Sequence, residues 1–148
     1  MDTRFGFEGV LMGMAFPPTN AAAGTITGEA IDRINFQGDL VVLINHGVVS
    51  GSPSAYSVNA HVEESEDNST WTDVDLAADV ADGADAITEM SDDSTTYGNE
   101  TLRIKLENRK RYLRVVCVAA FTDGSSPKVP VSGAYILTGA RELPVTQP

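Results

Sequence analysis

Few side chains in this sequence have the type and spacing for chemistry. Its two histidines, His46 and His61, each fall near the polar end of an expected strand, and neither lies in a recognisable catalytic motif. They would make a metal pair only if their strands were adjacent; two unrelated edge histidines is the simpler reading. The acidic run Glu63, Glu64, Glu66, Asp67 and Asn68 offers oxygen ligands for calcium. Its spacing is not that of an EF-hand loop, and a solvated hairpin turn fits it better. Asp92 and Asp93 could be paired as glycosidase acid and base, but so acidic a chain yields such pairs by chance. No HExxH, P-loop or dinucleotide glycine fingerprint is present. Cys117, the single cysteine, sits in the apolar run 115–118 and reads as a buried core residue, which excludes a disulfide framework and a thiolate metal cluster. The expectation is a non-enzymatic protein with no catalytic residue, metal or cofactor.

Charge narrows the partners. A formal net charge of -11 argues against nucleic acid, which needs a basic footprint to release counterions. Between Arg33 and Arg103 there is no Lys or Arg, while acids from Glu63 to Asp93 crowd the middle of the chain. Positive charge follows at Arg103, Lys105, Arg109, Lys110, Arg111 and Arg114. Two readings stay open: a solvated acidic loop region that keeps the protein soluble, or a two-sided module whose basic stripe meets an acidic neighbour. No stretch approaches the roughly 20 apolar residues of a membrane-spanning helix, and the N-terminus lacks the pattern of a secretory signal.

The elements that must position these groups read as strands. Tyr56, Val58, Ala60 and Val62 alternate with Ser57, Asn59, His61 and Glu63, the clearest period-two signal in the chain. Residues 31–36 and the apolar run 40–46 precede it. Turn chemistry at 66–69 leads into a return strand over 70–74, with Trp71 covering the core edge. Residues 75–100 read as a long loop holding a short strand near Ile87. Leu102, Ile104 and Leu106 alternate with Arg103 and Lys105, and Asn108 and Arg109 make a turn. Residues 111–121 are apolar on both faces and so belong at the centre of a sheet. Residues 129–137 close the sheet, with Val131, Tyr135 and Leu137 on one face. Glycines and prolines interrupt residues 1–28, which therefore read as an extended arm. Its apolar side chains Phe5, Phe7, Leu11, Met14 and Phe16 would each gain about 1.5–3 kcal/mol on full burial. The arm must therefore fold back on its own sandwich or dock on a neighbour. The whole is an all-β chain: an arm over 1–28, then a two-sheet antiparallel sandwich over 29–148 ending in a short tail, of a jelly-roll or immunoglobulin-like kind.

The stretch 62–74 with Trp71, the arginine-flanked stretch 110–116 and the segment 131–144 resemble, in order and separation, small β-sandwich virion proteins of tailed bacteriophages. Jelly-roll cement proteins of the capsid exterior are among them. The resemblance spans roughly residues 30–144. It implies a virion protein on the capsid exterior, made in the host cytoplasm, that binds the major capsid protein and bridges neighbouring shell subunits. It also implies self-association as a dimer or trimer, because lattice sites come in symmetric sets. The arm residues Phe5, Phe7, Leu11, Met14 and Phe16 and the tail after Leu143 would cross to neighbours. Arg109, Lys110, Arg111 and Arg114 would face acidic capsid surface. The stretch 62–74 is also similar to discoidin-type carbohydrate-binding sandwiches, with Asn68 where that pattern has glycine; there Trp71 or Tyr97 would stack on a sugar. A phage tail or fibre component is a third possibility for the same sandwich.

Overall fold

Strict alternation sends every second side chain of a strand to the core, and Gly, Asn, Asp and Ser close the turns between strands. The computed structural model describes residues 9–74 and 97–141 and contains nine strands there. These are β1 (Leu11–Ala21), β2 (Gly24–Thr27), β3 (Ile31–Asp32), β4 (Asp39–His46), β5 (Ala55–Ser65), β6 (Thr72–Asp73), β7 (Gly98–Lys105), β8 (Tyr112–Thr122) and β9 (Val129–Leu137). Two antiparallel sheets result, one ordered β1-β9-β4-β7 and the other β2-β8-β5-β6, with β3 also paired to β8.

β2 and β3 are two pieces of one interrupted strand. Both run antiparallel to β8, Thr27 opposite Val116 and Ile31 opposite Leu113, and between them the Gly28 amide donates to the Val115 carbonyl at 2.8 Å. With these counted as one strand, the chain is a nest of antiparallel pairs. β1 lies on β9, β2 and β3 on β8, β4 on β7, and β5 on β6. Rolling that long hairpin so that alternate pairs fall in opposite sheets produces the two observed strand orders, which is a jelly roll. The core between the sheets is built by Phe16, Leu40, Val42, Ile44, Val58, Val62, Leu102, Ile104, Leu113, Val115 and Leu137, all essentially inaccessible to water.

β8 is flanked by β5 on one side and by β2 and β3 on the other, as its two apolar faces require. The inward positions of β5 are those expected from its alternation. Two expectations are corrected. Residues 11–27 are not an arm: β1 pairs along β9 from Leu11 opposite Leu137 to Ala21 opposite Val129. Pro17 and Pro18 are accommodated because β1 is an edge strand and its register shifts between Met14 and Phe16 and again between Phe16 and Thr19. A proline that cannot donate to a ladder is tolerated at such an edge bulge. β9, in turn, does not end its sheet; it lies between β1 and β4. The expected strand near Ile87, the pair Asp92 and Asp93, and the tail after Leu143 lie outside the described residues. Among the described residues no helix is long and apolar enough to cross a membrane.

Candidate interaction surface

β4 carries the unbroken apolar run 40–44, so the outward residues within that run are apolar too. Leu40, Val42 and Ile44 point into the core at 0% exposure, while Val41 and Leu43 alternate with them and face out. Register extends this pattern across the sheet. Val41 lies opposite Ile136, which lies opposite Met12; Leu43 lies opposite Ala134, which lies opposite Met14. Two three-residue apolar rows thus cross the outer face of the four-stranded sheet. Met12 and Met14 are 58% and 67% exposed, and the other four side chains are half-buried. Polar residues border the patch. Arg103, opposite Val41, donates to the Asp39 carboxylate at 2.7 Å, and at the far end Asn45 lies opposite Ser132. There an open cleft of about 420 Å³ is lined by residues that include Thr19, Asn20, Asn45, His46 and Ser132.

Of the expected arm contacts, Met14 alone is prominently exposed on this face. Leu11 is half-buried and packs against the core, Phe16 is a core residue at 2% exposure, and Phe5 and Phe7 lie outside the described residues. Val41, Leu43, Ala134 and Ile136 were not anticipated as surface residues. The signal was present in β4, whose unbroken apolar run is more than one buried face requires.

The basic stripe is engaged within the chain. Arg109 Nη1 lies 3.8 Å from Glu64 Oε1, with both side chains largely buried. The Lys110 amide donates to Glu64 Oε2 at 3.0 Å, and its ammonium donates to Thr72 Oγ1 at 2.8 Å. Arg111 Nη2 meets Asp32 Oδ2 at 2.7 Å, an ion pair that lowers the Asp32 carboxyl below its ordinary range. Arg114 donates from Nε to Glu63 Oε2 at 2.6 Å and lies over the Trp71 ring, 4.2 Å from its centroid. These cations hold the β5–β6 hairpin and the β2–β3 strand onto β8.

Asp67 in the acidic hairpin is held by bonds within the turn. Asp67 Oδ1 accepts hydrogen bonds from the Thr70 amide at 2.8 Å, the Ser69 amide at 2.9 Å and Ser65 Oγ at 2.9 Å. These bonds, the Thr70 amide first, hold the Asp67 carboxyl far below the usual carboxylate range. Asp67 thus builds the turn of this run. Asn68 there takes φ 58°, a left-handed conformation that asparagine tolerates. Trp71 is half-buried, with one ring face under Arg114.

The two histidines do not come together, because β4 and β5 belong to opposite sheets. His46 is buried, its ring edge-on to Tyr56 at 5.8 Å between centroids. His61 faces outward beside Glu63 and Asp73.

No protein-family model matches the chain, and no curated protein matches its sequence. Solved structures share its fold. The chain aligns over 95% of its length, at 12% identity and a TM-score of 0.60, with a protein in the structure of infectious bursal disease virus, Gt strain. It aligns over 88% at 14% identity and a TM-score of 0.57 with the protein of T=1 particles derived from infectious bursal virus. A looser likeness, at 11% identity and a TM-score of 0.48, covers 93% of the chain and 85% of the CBM22-1 xylan-binding domain of Paenibacillus barcinonensis Xyn10C. The chain spans 37% and 31% of the two viral proteins' lengths. At these identities the likeness to the two viral proteins shows a shared fold alone.

Proposed function

We propose that this protein is a non-enzymatic structural component of a virion, and that it stabilises a shell by docking on the outside of assembled capsid subunits, as a cement protein of a tailed phage does. The observation that carries the reading is the apolar outer face of the four-stranded sheet, centred on Met14, Leu43 and Ile136 and bordered by polar and paired charged groups. A patch of this composition stabilises association by removing apolar area from water, and its polar border sets register. The fold shared with virus-particle proteins supports the same reading. In it the acidic β5–β6 hairpin, on the opposite sheet, faces solvent, the major capsid protein is the partner, and self-association into a dimer or trimer matches the symmetry of the lattice.

The test is co-sedimentation of the purified protein with empty tailed-phage heads, alongside its mass in solution. Saturable binding at a symmetric stoichiometry, lost in a Met14→Glu/Leu43→Glu variant that keeps the wild-type circular dichroism spectrum, is the expected result. Unchanged binding by that variant would remove the sheet face from the proposal, and no binding by the wild type to any head preparation would remove the cement role.

A second reading, a carbohydrate-binding module, rests on the open cleft beside the patch, whose Asn20, Asn45 and Ser132 are suited to sugar hydroxyls. Tyr97, 81% exposed, precedes Gly98, the register partner of His46 in the cleft wall. Glycan-array binding lost on Asn45→Ala would favour it.

A further inference from the structure

We propose that His61, Glu63 and Asp73 form a zinc-class metal site on the outer face of the β2-β8-β5-β6 sheet. His61 and Glu63 are two apart on β5 and so share its outward face, and Asp73 on β6 is the register partner of Glu63. Strand pairing thus brings one imidazole and two carboxylates together from two adjacent strands. His61 Nε2 lies 3.7 Å from Glu63 Oε1 and 3.5 Å from Asp73 Oδ1, and one ligand atom from each of the three residues falls within 4.8 Å of the others.

These separations choose among metals. Ligand atoms bonded to a tetrahedral zinc ion at about 2.0–2.1 Å are about 3.4 Å apart. The two distances from His61, 3.7 and 3.5 Å, are within a few tenths of an ångström of that edge, and the two carboxylate oxygens lie within 4.8 Å of each other, so side-chain rotation must bring those two together. Calcium instead takes six to eight oxygens and has no use for an imidazole. One nitrogen and two carboxylate oxygens leave a fourth position, and the Asp73 side chain, 78% exposed, leaves it open to water.

The site is also oriented from outside. Arg114 binds Glu63 through Oε2, from Nε and from Nη2, both at 2.6 Å, which leaves Oε1 on the side of His61. Arg114 is itself held against Trp71. An outer group that fixes a ligating carboxylate in this way is characteristic of metal centres. Asn59, the next outward residue of β5, keeps its side-chain oxygen buried with no hydrogen-bond partner among the described residues, so polar groups continue along this face beyond His61. The simplest competing account is a plain ion pair between a protonated His61 and the two carboxylates, and it predicts no metal binding.

The experiment is calorimetric titration of the purified full chain with zinc chloride in chelator-free buffer, with Trp71 fluorescence followed in parallel. Trp71 is the single tryptophan and is linked to the site through Arg114 and Glu63, so its emission reports occupancy. One zinc per chain, a change in emission, and affinity at least tenfold weaker in both His61→Ala and Asp73→Asn are expected. Both side chains are at least a third exposed, so the variants should keep the fold, which circular dichroism checks. Absence of heat up to about 1 mM zinc, or undiminished binding in both variants, would overturn the site.

Discussion

The ring of Phe16 on β1 lies where a side chain on Gly133 of β9 would have to go: a Cβ built on Gly133 would stand 2.5 Å from Phe16 Cε1. The two residues are register partners, and a reciprocal pair follows three residues away, where Tyr135 covers its register partner Gly13. Aromatic rings laid over cross-strand glycines thus pin the edge strand that carries Met12 and Met14. Gly133→Ala should destabilise the protein by roughly 1–3 kcal/mol through overpacking. Phe16→Ala should cost about 3–5 kcal/mol by leaving a cavity. Urea unfolding of the two variants measures both effects, and a neutral Phe16→Ala would mean that β1 is not docked on the core.

Glu64 is the hub for Arg109 and for the Lys110 amide, in a place where both charged side chains are at most 13% exposed. Removal of Glu64 takes a largely buried carboxylate partner from Arg109 and the acceptor from the Lys110 amide. Glu64→Ala should therefore lose roughly 3 kcal/mol of stability, more than an exposed pair would. Loss of both partners in a Glu64→Leu/Arg109→Met variant should recover part of that, and a double-mutant cycle in urea reads the difference.

Asp67 ties the β5–β6 turn through its ionised carboxylate. Because folding depresses this group from its ordinary value of 3.8, the unfolded chain takes up the proton first as pH falls. Its contribution to stability is fully present above that ordinary value and is lost as pH drops through it toward the folded one. Thermal unfolding between about pH 5 and pH 2 should show this loss, and Asp67→Asn should flatten the slope over the same window. An unchanged slope would locate the acid sensitivity elsewhere.

Burial pushes the Cys117 thiol up to about 11, in the middle of β8 with no exposed surface. The thiolate, not the thiol, is the nucleophile. At pH 8 the native protein should resist a thiol-specific disulfide reagent, whereas unfolding in urea should release one reactive thiol per chain. Rapid labelling without denaturant would mean that β8 opens locally.

Much of the sandwich was legible because its signals are local. The alternation in 56–63, the turn residues at 66–69 and 108–109, and the two apolar faces of 111–121 each report a strand or a turn without knowledge of its partner. The N-terminal segment was misread for a physical reason. Gly13, Pro17 and Pro18 disfavour a strand in isolation, and the benefit that overrides them comes from β9, more than a hundred residues away. The functional surface was legible only in half. The apolar excess of residues 40–46 was visible, but Met12 and Ile136 join it only through register. The hairpin that carries His61, Glu63 and Asp73 was legible from its turn, but the register that sets Asp73 opposite Glu63 was not.

By itself the sequence determined the class of fold, the single inert cysteine, the excess of acid over base and the positions of most strands, because composition and period two are properties of neighbouring residues. Only the tertiary structure decided the strand order, the apolar face of the outer sheet and the intramolecular partners of Arg109, Lys110, Arg111 and Arg114. A cation's partner depends on which carboxylate the sheet places opposite it. Asp32 reaches Arg111 across 79 residues and Glu63 reaches Arg114 across 51, contacts that strand pairing creates and local sequence does not encode.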